Sequence, residues 1–395
     1  MNGRSLARDP VRVMTVVGTR PEAIKMAPVL YELRRHPSRF DSMLVSAGQH
    51  KELLAQALHA FDLRPDVELG LMRSGQSLSG YAARALEAVA DVVVLHKPEI
   101  VLVQGDTTTV AMAALAAFYN GIVVGHIEAG LRSFDRANPF PEELNRELAG
   151  LIADIHFAPT EQSRLNLLQK GVPPARVLNT GNTIVDAVRM LSTDDGFDDP
   201  AVARVIPRTG RLIVVTVHRR ETFGTPLRNV CLALREIAAM HKDVQIVLPV
   251  HPNPLVSHIV HSELGRAERI SVIPAVSYGD MLRLMRAAYL LLSDSGGIQE
   301  EAPSLNVPIL VLRDVTERPE VVQAGLAKLV GTSTRRITTE TARLLTDATE
   351  YGKMRGAPNP YGDGHAAERI VEAIWQLLQP VAKAEPAAQR DRATA

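Results

Sequence analysis

One pattern recurs along this chain. A short β-branched apolar run ends in a Gly, Asp or Thr turn, and a longer helical segment follows. The runs cover 13–17, 100–103, 123–127 and 155–158, then 212–217, 244–250, 270–274, 290–293 and 308–312. Helical segments follow after Pro21, at 107–119, from near Pro141, at 161–169 and near 226–240. Strands alternating with helices specify a parallel sheet with helices on both faces. The runs are continuously apolar, which fits strands buried on both sides.

The series is interrupted once, by the polar, Asp- and Pro-rich stretch 193–211. The expected boundary lies just before it, at about Gly181, with a helix over 184–191 leading across. The chain then reads as an α/β protein of two doubly wound domains in tandem, 1–180 and 181–365. A length of 395 residues allows two or three domains. The last helix, 366 to about 380, follows the Gly/Pro-rich 356–364 and is expected to return to the first domain. Residues 381–395 are rich in Ala, Pro, Gln and charge and read as a disordered tail. In doubly wound sheets ligands bind beyond the carboxyl ends of the strands, so two facing sheets create a cleft.

Charge and cysteine narrow the function. Lys+Arg and Asp+Glu each number 44, so the balance is zero. That argues against a protein whose affinity comes from neutralising nucleic-acid phosphates. Aromatic residues are 4%, leaving few stacking platforms for single strands. Cys231 is the single cysteine, which excludes an intramolecular disulfide and a thiolate zinc cage. A reducing cytoplasm is the expected home. No segment approaches the roughly 18 apolar residues of a membrane-spanning helix, and the N-terminus lacks the apolar run of a signal peptide.

Candidate chemistry sits at the strand ends. Gly18-Thr19-Arg20-Pro21-Glu22 follows the first strand. Gly18 permits a tight turn, Thr19 caps, and Pro21 suits the start of a helix. Arg20, with Lys25 one turn on, forms a diphosphate clamp or is a solvated loop charge. Asp106, after the strand at 100–103, is at a natural N-cap position, and capping is its plainest reading. His126 and Glu128 share one side if the segment is extended. A carboxylate at a strand mouth needs a partner or a task, and Arg132 is the nearest candidate partner. Glu142 opens a helix, where acidic residues ordinarily serve electrostatics alone.

In the second half, His218-Arg219-Arg220-Glu221 follows 212–217 directly and suits an anionic ligand. His251 is a second strand-end histidine. The segment 293–302 is the most informative. Its Ser295-Gly296-Gly297 turn exposes backbone N–H groups at a helix start, an anion site by geometry and dipole. Glu301 lies one to two turns further, within reach of ribose hydroxyls. There is no P-loop, Rossmann fingerprint or nucleophile elbow, and no metal-ligand spacing of His and acidic residues. Asp106, Glu128 and His218 together suggest proton transfers on a substrate held by its diphosphate.

These segments resemble the non-hydrolysing UDP-N-acetylglucosamine 2-epimerases. The matching pieces include GTRPEAIKMAP (18–28), QGDTTT (104–109), GHIEAGLR (125–132), PEELNR (141–146), HRRE (218–221), PVHPNP (249–254), SDSGGIQEEAPS (293–304), TERPE (316–320) and NPYGDG (359–364). They run in family order from about residue 11 to 378. The resemblance implies the glycosyltransferase-B architecture, two Rossmann-like domains facing a cleft, and a homodimer. It implies interconversion of UDP-N-acetylglucosamine and UDP-N-acetylmannosamine through UDP and a 2-acetamidoglucal, with no cofactor and no metal.

On the matching positions, Asp106 and Glu128 would handle C2 protons on the two faces of the sugar, with Glu142 assisting. His218 would meet the leaving UDP. Arg20 and Lys25 would offset the diphosphate charge from one side, with Ser295, Gly296 and Gly297 holding it from the other. Glu301 would bind ribose. Gln49, His50 and His251 fall in segments matching a regulatory UDP-N-acetylglucosamine site of some members. The pair Lys51-Glu52 departs from the Gln that some regulated members carry at its second position. The competing readings are an epimerase for a modified sugar nucleotide such as a UDP-diacetamido-uronic acid, a hydrolysing epimerase, a glycosyltransferase on the same architecture, and a non-catalytic sensor. The unbroken GTRPE argues against the hydrolysing enzyme.

Overall fold

A computed structural model describes residues 9–48, 51–191, 196–207 and 209–379. Gln49, His50 and the expected tail at 381–395 lie outside the described residues. The first sheet contains β1 (Val11–Val17), β2 (Phe40–Ser46), β3 (Val67–Glu68), β4 (Ile100–Gln104), β5 (Val123–Ile127), β6 (Ile155–Ala158) and β7 (Val177–Asn179). Its helices are α1 (Arg20–Arg34), α2 (Lys51–Ala60), α3 (Leu78–His96), α4 (Thr108–Tyr119), α5 (Glu142–Ile152), α6 (Glu161–Gln169) and α7 (Thr183–Leu191). After α8 (Pro200–Val205), the second sheet contains β8 (Arg211–Thr216), β9 (Val244–Pro249), β10 (Ile270–Ile273), β11 (Leu290–Ser293), β12 (Ile309–Val311) and β13 (Ala327–Leu329). Between its strands run α9 (Thr225–Met240), α10 (Pro254–Leu264), α11 (Tyr278–Ala287), α12 (Gly296–Leu305) and α13 (Pro319–Gln323). The chain continues through α14 (Thr334–Thr346), α15 (Ala348–Arg355) and α16 (Ala366–Leu378).

Every strand pair in both sheets is parallel. The first sheet has the order β3-β2-β1-β4-β5-β6-β7 and the second β10-β9-β8-β11-β12-β13. Both reverse direction beside their first strand, the arrangement of a doubly wound α/β sheet. The two switch points, β1/β4 and β8/β11, are therefore where ligand groups are expected. Strand β2 escapes the apolar pattern because Asp41 and Ser42 break its run, yet it lies beside β1 in full register.

One apolar core runs through both halves, from Val17 and Leu30 to Leu282 and Ile309. Helix α1 packs against α7 and α16, and α7 against α12, so α1 is covered on nearly every side. Leu30 and Leu33 are fully buried there; truncating either to Ala costs about 2–5 kcal/mol. Helix α16 reaches the first sheet. Trp375 meets Phe40 edge-on at 5.7 Å between ring centroids, and Arg39 pairs with Glu372 at 3.2 Å. Asp186 of α7 accepts hydrogen bonds from the Ala366 and Ala367 amides and so caps α16. No helix among the described residues is long and apolar enough to cross a membrane.

Candidate active site

The turn after β1 is set by close packing. A Cβ on Gly18 would meet Thr109 Oγ1 of α4 at 2.4 Å, so only glycine fits. Thr19 is the N-cap of α1 by position, but its hydroxyl accepts no helix amide, contrary to expectation, because it donates to Glu22. Glu22 accepts from the Gly18 amide at 2.6 Å and from the Thr19 hydroxyl at 2.8 Å. Burial pushes the Glu22 carboxyl up to about 7, against those donors and Thr107, with the Asp106 charge adding to the rise. The turn aims Arg20 and Lys25 away from β1.

Lys25 joins the two halves. Its ammonium lies 2.6 Å from Glu128 and 2.8 Å from Glu300, and all three side chains are nearly inaccessible. Gln104 Nε2 also donates to Glu128, and Arg318 donates to Glu300. Two cations thus face two carboxylates in a largely buried group, stable only while complete. Burial opposes the Lys25 charge, but Glu128 and Glu300 outweigh it and raise its pKa. Burial also opposes the Glu300 charge, but Arg318 and Lys25 hold its carboxyl down to about 2. Glu128 goes the other way, because burial outweighs Lys25 and raises its pKa. Arg318 is hydrogen-bonded to Glu300, whereas its charge reaches Glu128 only through space and does not offset that residue's burial.

The expected alignment of Glu128 with His126 does not hold. Strand β5 ends at Ile127, and Glu128 turns into the left-handed region at φ 62°. His126 faces the Gly105 carbonyl at 2.8 Å, whereas Glu128 faces Lys25. A non-glycine residue held at positive φ costs energy, and such strain clusters at functional sites. The turn is locked next door: a Cβ on Gly130 would meet the Ser163 carbonyl oxygen at 2.2 Å. Arg132 is not the partner of Glu128. It pairs with Glu143 at 2.6 Å and Glu147 at 2.7 Å on α5.

Asp106 is also relieved of the expected structural task. Thr107 is the N-cap of α4, its hydroxyl accepting from the Val110 amide. The Asp106 carboxylate is gripped instead by Arg146, with Nη2 at 2.7 Å and Nε at 3.0 Å, both on Oδ2. Glu142 stands one turn before Arg146 on α5, at the i, i+4 spacing that shares a face.

The second half supplies the opposite wall. Asp294, fully buried after β11, accepts from the amides of His218 and Arg219 and from the Thr222 hydroxyl. It also holds His218 Nδ1 at 3.0 Å, which leaves Nε2 as the outward ring nitrogen. His251 lies over His218 with ring centroids 6.1 Å apart. Ser295 caps α12, and Gly296 and Gly297 form its first turn, partly accessible. Glu301 lies beneath that turn and accepts from the Tyr278 hydroxyl at 3.2 Å. Burial pushes its carboxyl up to about 7, against Arg20 and Tyr278. Arg20 reaches across from α1 and lies 5.5 Å from the Tyr278 ring centre.

The sequence-derived candidates therefore fall into four groups: Lys25 with Glu128, Asp106 with Glu142 one turn from its partner, His218 with His251, and Arg20 with Glu301 and the α12 turn. The chain is similar to known proteins over most of its length. A family model described as UDP-N-acetylglucosamine 2-epimerase matches residues 31–375. A Yersinia pestis UDP-N-acetylglucosamine 2-epimerase is 48% identical over 370 residues, 92% of this chain and 98% of that protein. The chain belongs to the UDP-N-acetylglucosamine 2-epimerase family.

Solved structures agree. The Neisseria meningitidis UDP-GlcNAc 2-epimerase bound to UDP-GlcNAc superposes with a TM-score of 0.84 at 42% identity, covering 93% of this chain and all (100%) of that one. A Staphylococcus aureus protein, MnaA, in a co-structure with UDP, superposes with a TM-score of 0.83 at 41% identity, covering 93% and 97%. In this epimerase-family chain, Asp294, Tyr278, Glu300, Arg318 and Arg146 carry the geometry although they are not among the sequence candidates. Four of them lie inside segments that match the family, SDSGGIQEEAPS, TERPE and PEELNR. That was the available signal. Tyr278 had none.

Proposed function

We propose that this chain catalyses reversible C2 epimerisation of UDP-N-acetylglucosamine to UDP-N-acetylmannosamine. The C1–O bond to UDP breaks, and the C2 proton passes to a carboxylate, leaving a 2-acetamidoglucal. UDP then re-adds at C1 while C2 takes a proton on the opposite face. The observation that carries this reading is a pair of carboxylates at neighbouring strand ends in contrasting surroundings. Asp106 is held by an arginine, and Glu128 is buried with a raised pKa. Carboxylates with distinct surroundings suit distinct acid and base roles.

Glu142 assists from the face that carries Arg146. His218, fixed by Asp294, meets the leaving UDP through its other ring nitrogen. Arg20 and the amides of Ser295, Gly296 and Gly297 hold the diphosphate. Lys25 enters the same charge balance once a diphosphate competes with Glu128 and Glu300 for it. Glu301 takes the ribose hydroxyls. His251, stacked on His218, is the described part of the segments that match a regulatory site. We place the domain boundary near Gly181, with α16 belonging to the first domain.

We read the chain as a cytoplasmic homodimer that supplies cell-envelope polysaccharide synthesis. An exposed apolar patch supports the dimer. Leu95 at the end of α3, Phe118 and Tyr119 at the end of α4, and Leu151 at the end of α5 are 58–83% exposed. Helices α3 and α5 both flank α4. Large apolar side chains exposed at the ends of adjoining helices suit an association surface. These helix ends lie at the edge of the sheet away from the strand ends that carry the site.

Incubation with UDP-N-acetylglucosamine in D2O, followed by NMR, tests the reaction. Deuterium is expected at C2 of both epimers, without accumulating free N-acetylmannosamine. Inertness toward this substrate, with turnover of a UDP-diacetamido-uronic acid, would reassign the sugar.

A further inference from the structure

We propose that Arg146 is a positioning residue for Asp106: it fixes which carboxylate oxygen faces the sugar. The inference rests on the reading above that Asp106 exchanges the C2 proton. Arg146 places Nε and Nη2 on the same oxygen, Oδ2, at 3.0 Å and 2.7 Å. Among the described residues Oδ1 accepts no hydrogen bond, and the Asp106 side chain keeps 26% of its surface exposed. One oxygen is therefore anchored and the other is offered to the cleft.

Arg146 is itself rigidly held. Its Nη1 donates to Glu143 Oε2 at 3.1 Å. Glu143 is fully buried and also accepts from Arg132 Nε at 2.6 Å, the Ser133 amide at 2.9 Å and the Phe134 amide at 3.1 Å. Arg132 is held in turn by Glu147 at 2.7 Å. Alternating charges thus run from the segment after Glu128, through α5, to the turn after β4. A planar guanidinium suits this place, because it can bridge Asp106 and Glu143 in fixed geometry where an ammonium cannot. The other titratable groups around Asp106 are Glu22 from α1 and His126 from β5. Neither is hydrogen-bonded to it, so the grip comes from α5. The same helix face carries Glu142, so Arg146 also sets the distance between α5 and the β4–α4 turn.

An ion pair with a purely structural task would change stability when broken and leave the chemical step alone. Arg146→Ala, with bound UDP as a control, separates the two. The expected result is a kcat lowered by about 100-fold, the scale of a ~1 Å misplacement of a reacting group. KM and UDP affinity are expected to stay within about threefold, because Arg146 touches neither in this reading. Free guanidinium at non-denaturing concentration is expected to restore activity to Arg146→Ala, whereas urea at the same concentration is not. A kcat near wild type, or equal responses to guanidinium and urea, would overturn the inference. If Arg146→Ala does not fold, Arg146→Lys decides. Its kcat is expected to fall about tenfold at unchanged KM, since the charge stays but the fork is lost. A wild-type kcat for Arg146→Lys would overturn the inference. Wild-type protein that places no deuterium at C2 in D2O would instead overturn the proposed reaction, and this inference with it.

Discussion

Replacing Glu22 by Gln tests how the site holds a buried carboxyl. Glu22 is 2% exposed, and burial pushes its carboxyl from an ordinary 4.5 up to about 7. Below pH 4.5 the carboxyl is protonated in folded and unfolded chains alike, and its contribution to stability is fully present. Between 4.5 and about 7 the folded chain keeps a proton that the unfolded chain has released, so stability falls as pH rises. Above about 7 both states are ionised and the loss is complete. At about 1.4 kcal/mol per pH unit, the interval amounts to roughly 3 kcal/mol.

Gln reproduces the protonated form. Its carbonyl oxygen can accept from the Gly18 amide, and its amide can donate to the Thr19 hydroxyl, preserving both observed contacts. Urea unfolding, followed by fluorescence of the single tryptophan, Trp375, and by circular dichroism, would be run at about pH 4.5 and pH 8. Wild type is expected to lose roughly 3 kcal/mol more than Glu22→Gln between those conditions. Glu301, also pushed up to about 7, contributes the same slope to both proteins and cancels. Equal losses in the two proteins would refute the account of Glu22 as a carboxyl protonated by burial.

Other substitutions address the chemistry and the assembly. Asp106→Asn and Glu128→Gln are each expected to lower turnover by about 10²–10⁴ while UDP still binds; near-normal turnover removes that residue from the mechanism. Glu300→Gln leaves Lys25 and Arg318 short of a carboxylate and is expected to cost about 3–5 kcal/mol in denaturant melts. An unchanged melt would mean that the ion group does not tie the two halves. Phe118→Glu and Leu151→Glu are expected to convert a dimer to monomers in light scattering; a dimer that persists would exclude this face.

Much of the fold is legible locally. Helices α6 and α16 occupy the spans expected from sequence, and α7 begins one residue earlier than expected. Strand β2 is not legible, because Asp41 and Ser42 hide a strand whose neighbours bury it anyway. At the site, position is legible and partnership is not. Asp106 and Thr107 are both good capping residues, and local preference cannot choose between them. Arg146, 40 residues away, takes Asp106, and the cap falls to Thr107. Likewise, alternation along β5 predicts the side on which Glu128 lies only while the backbone stays extended, and it turns at that residue.

The sequence by itself determined that this is a doubly wound α/β chain with its polar residues at strand ends. Periodicity and turn chemistry act over a few residues, so they survive without coordinates. Only the tertiary structure decided that Lys25 meets Glu128 and Glu300, that Arg318 is hydrogen-bonded to Glu300 while reaching Glu128 only through space, and that Glu22, Glu128 and Glu301 are raised while Glu300 is lowered. Coulomb attraction and the cost of losing water depend on distance and burial, not on chain order. Residues far apart in sequence therefore acquire their chemistry only where the two switch points face each other.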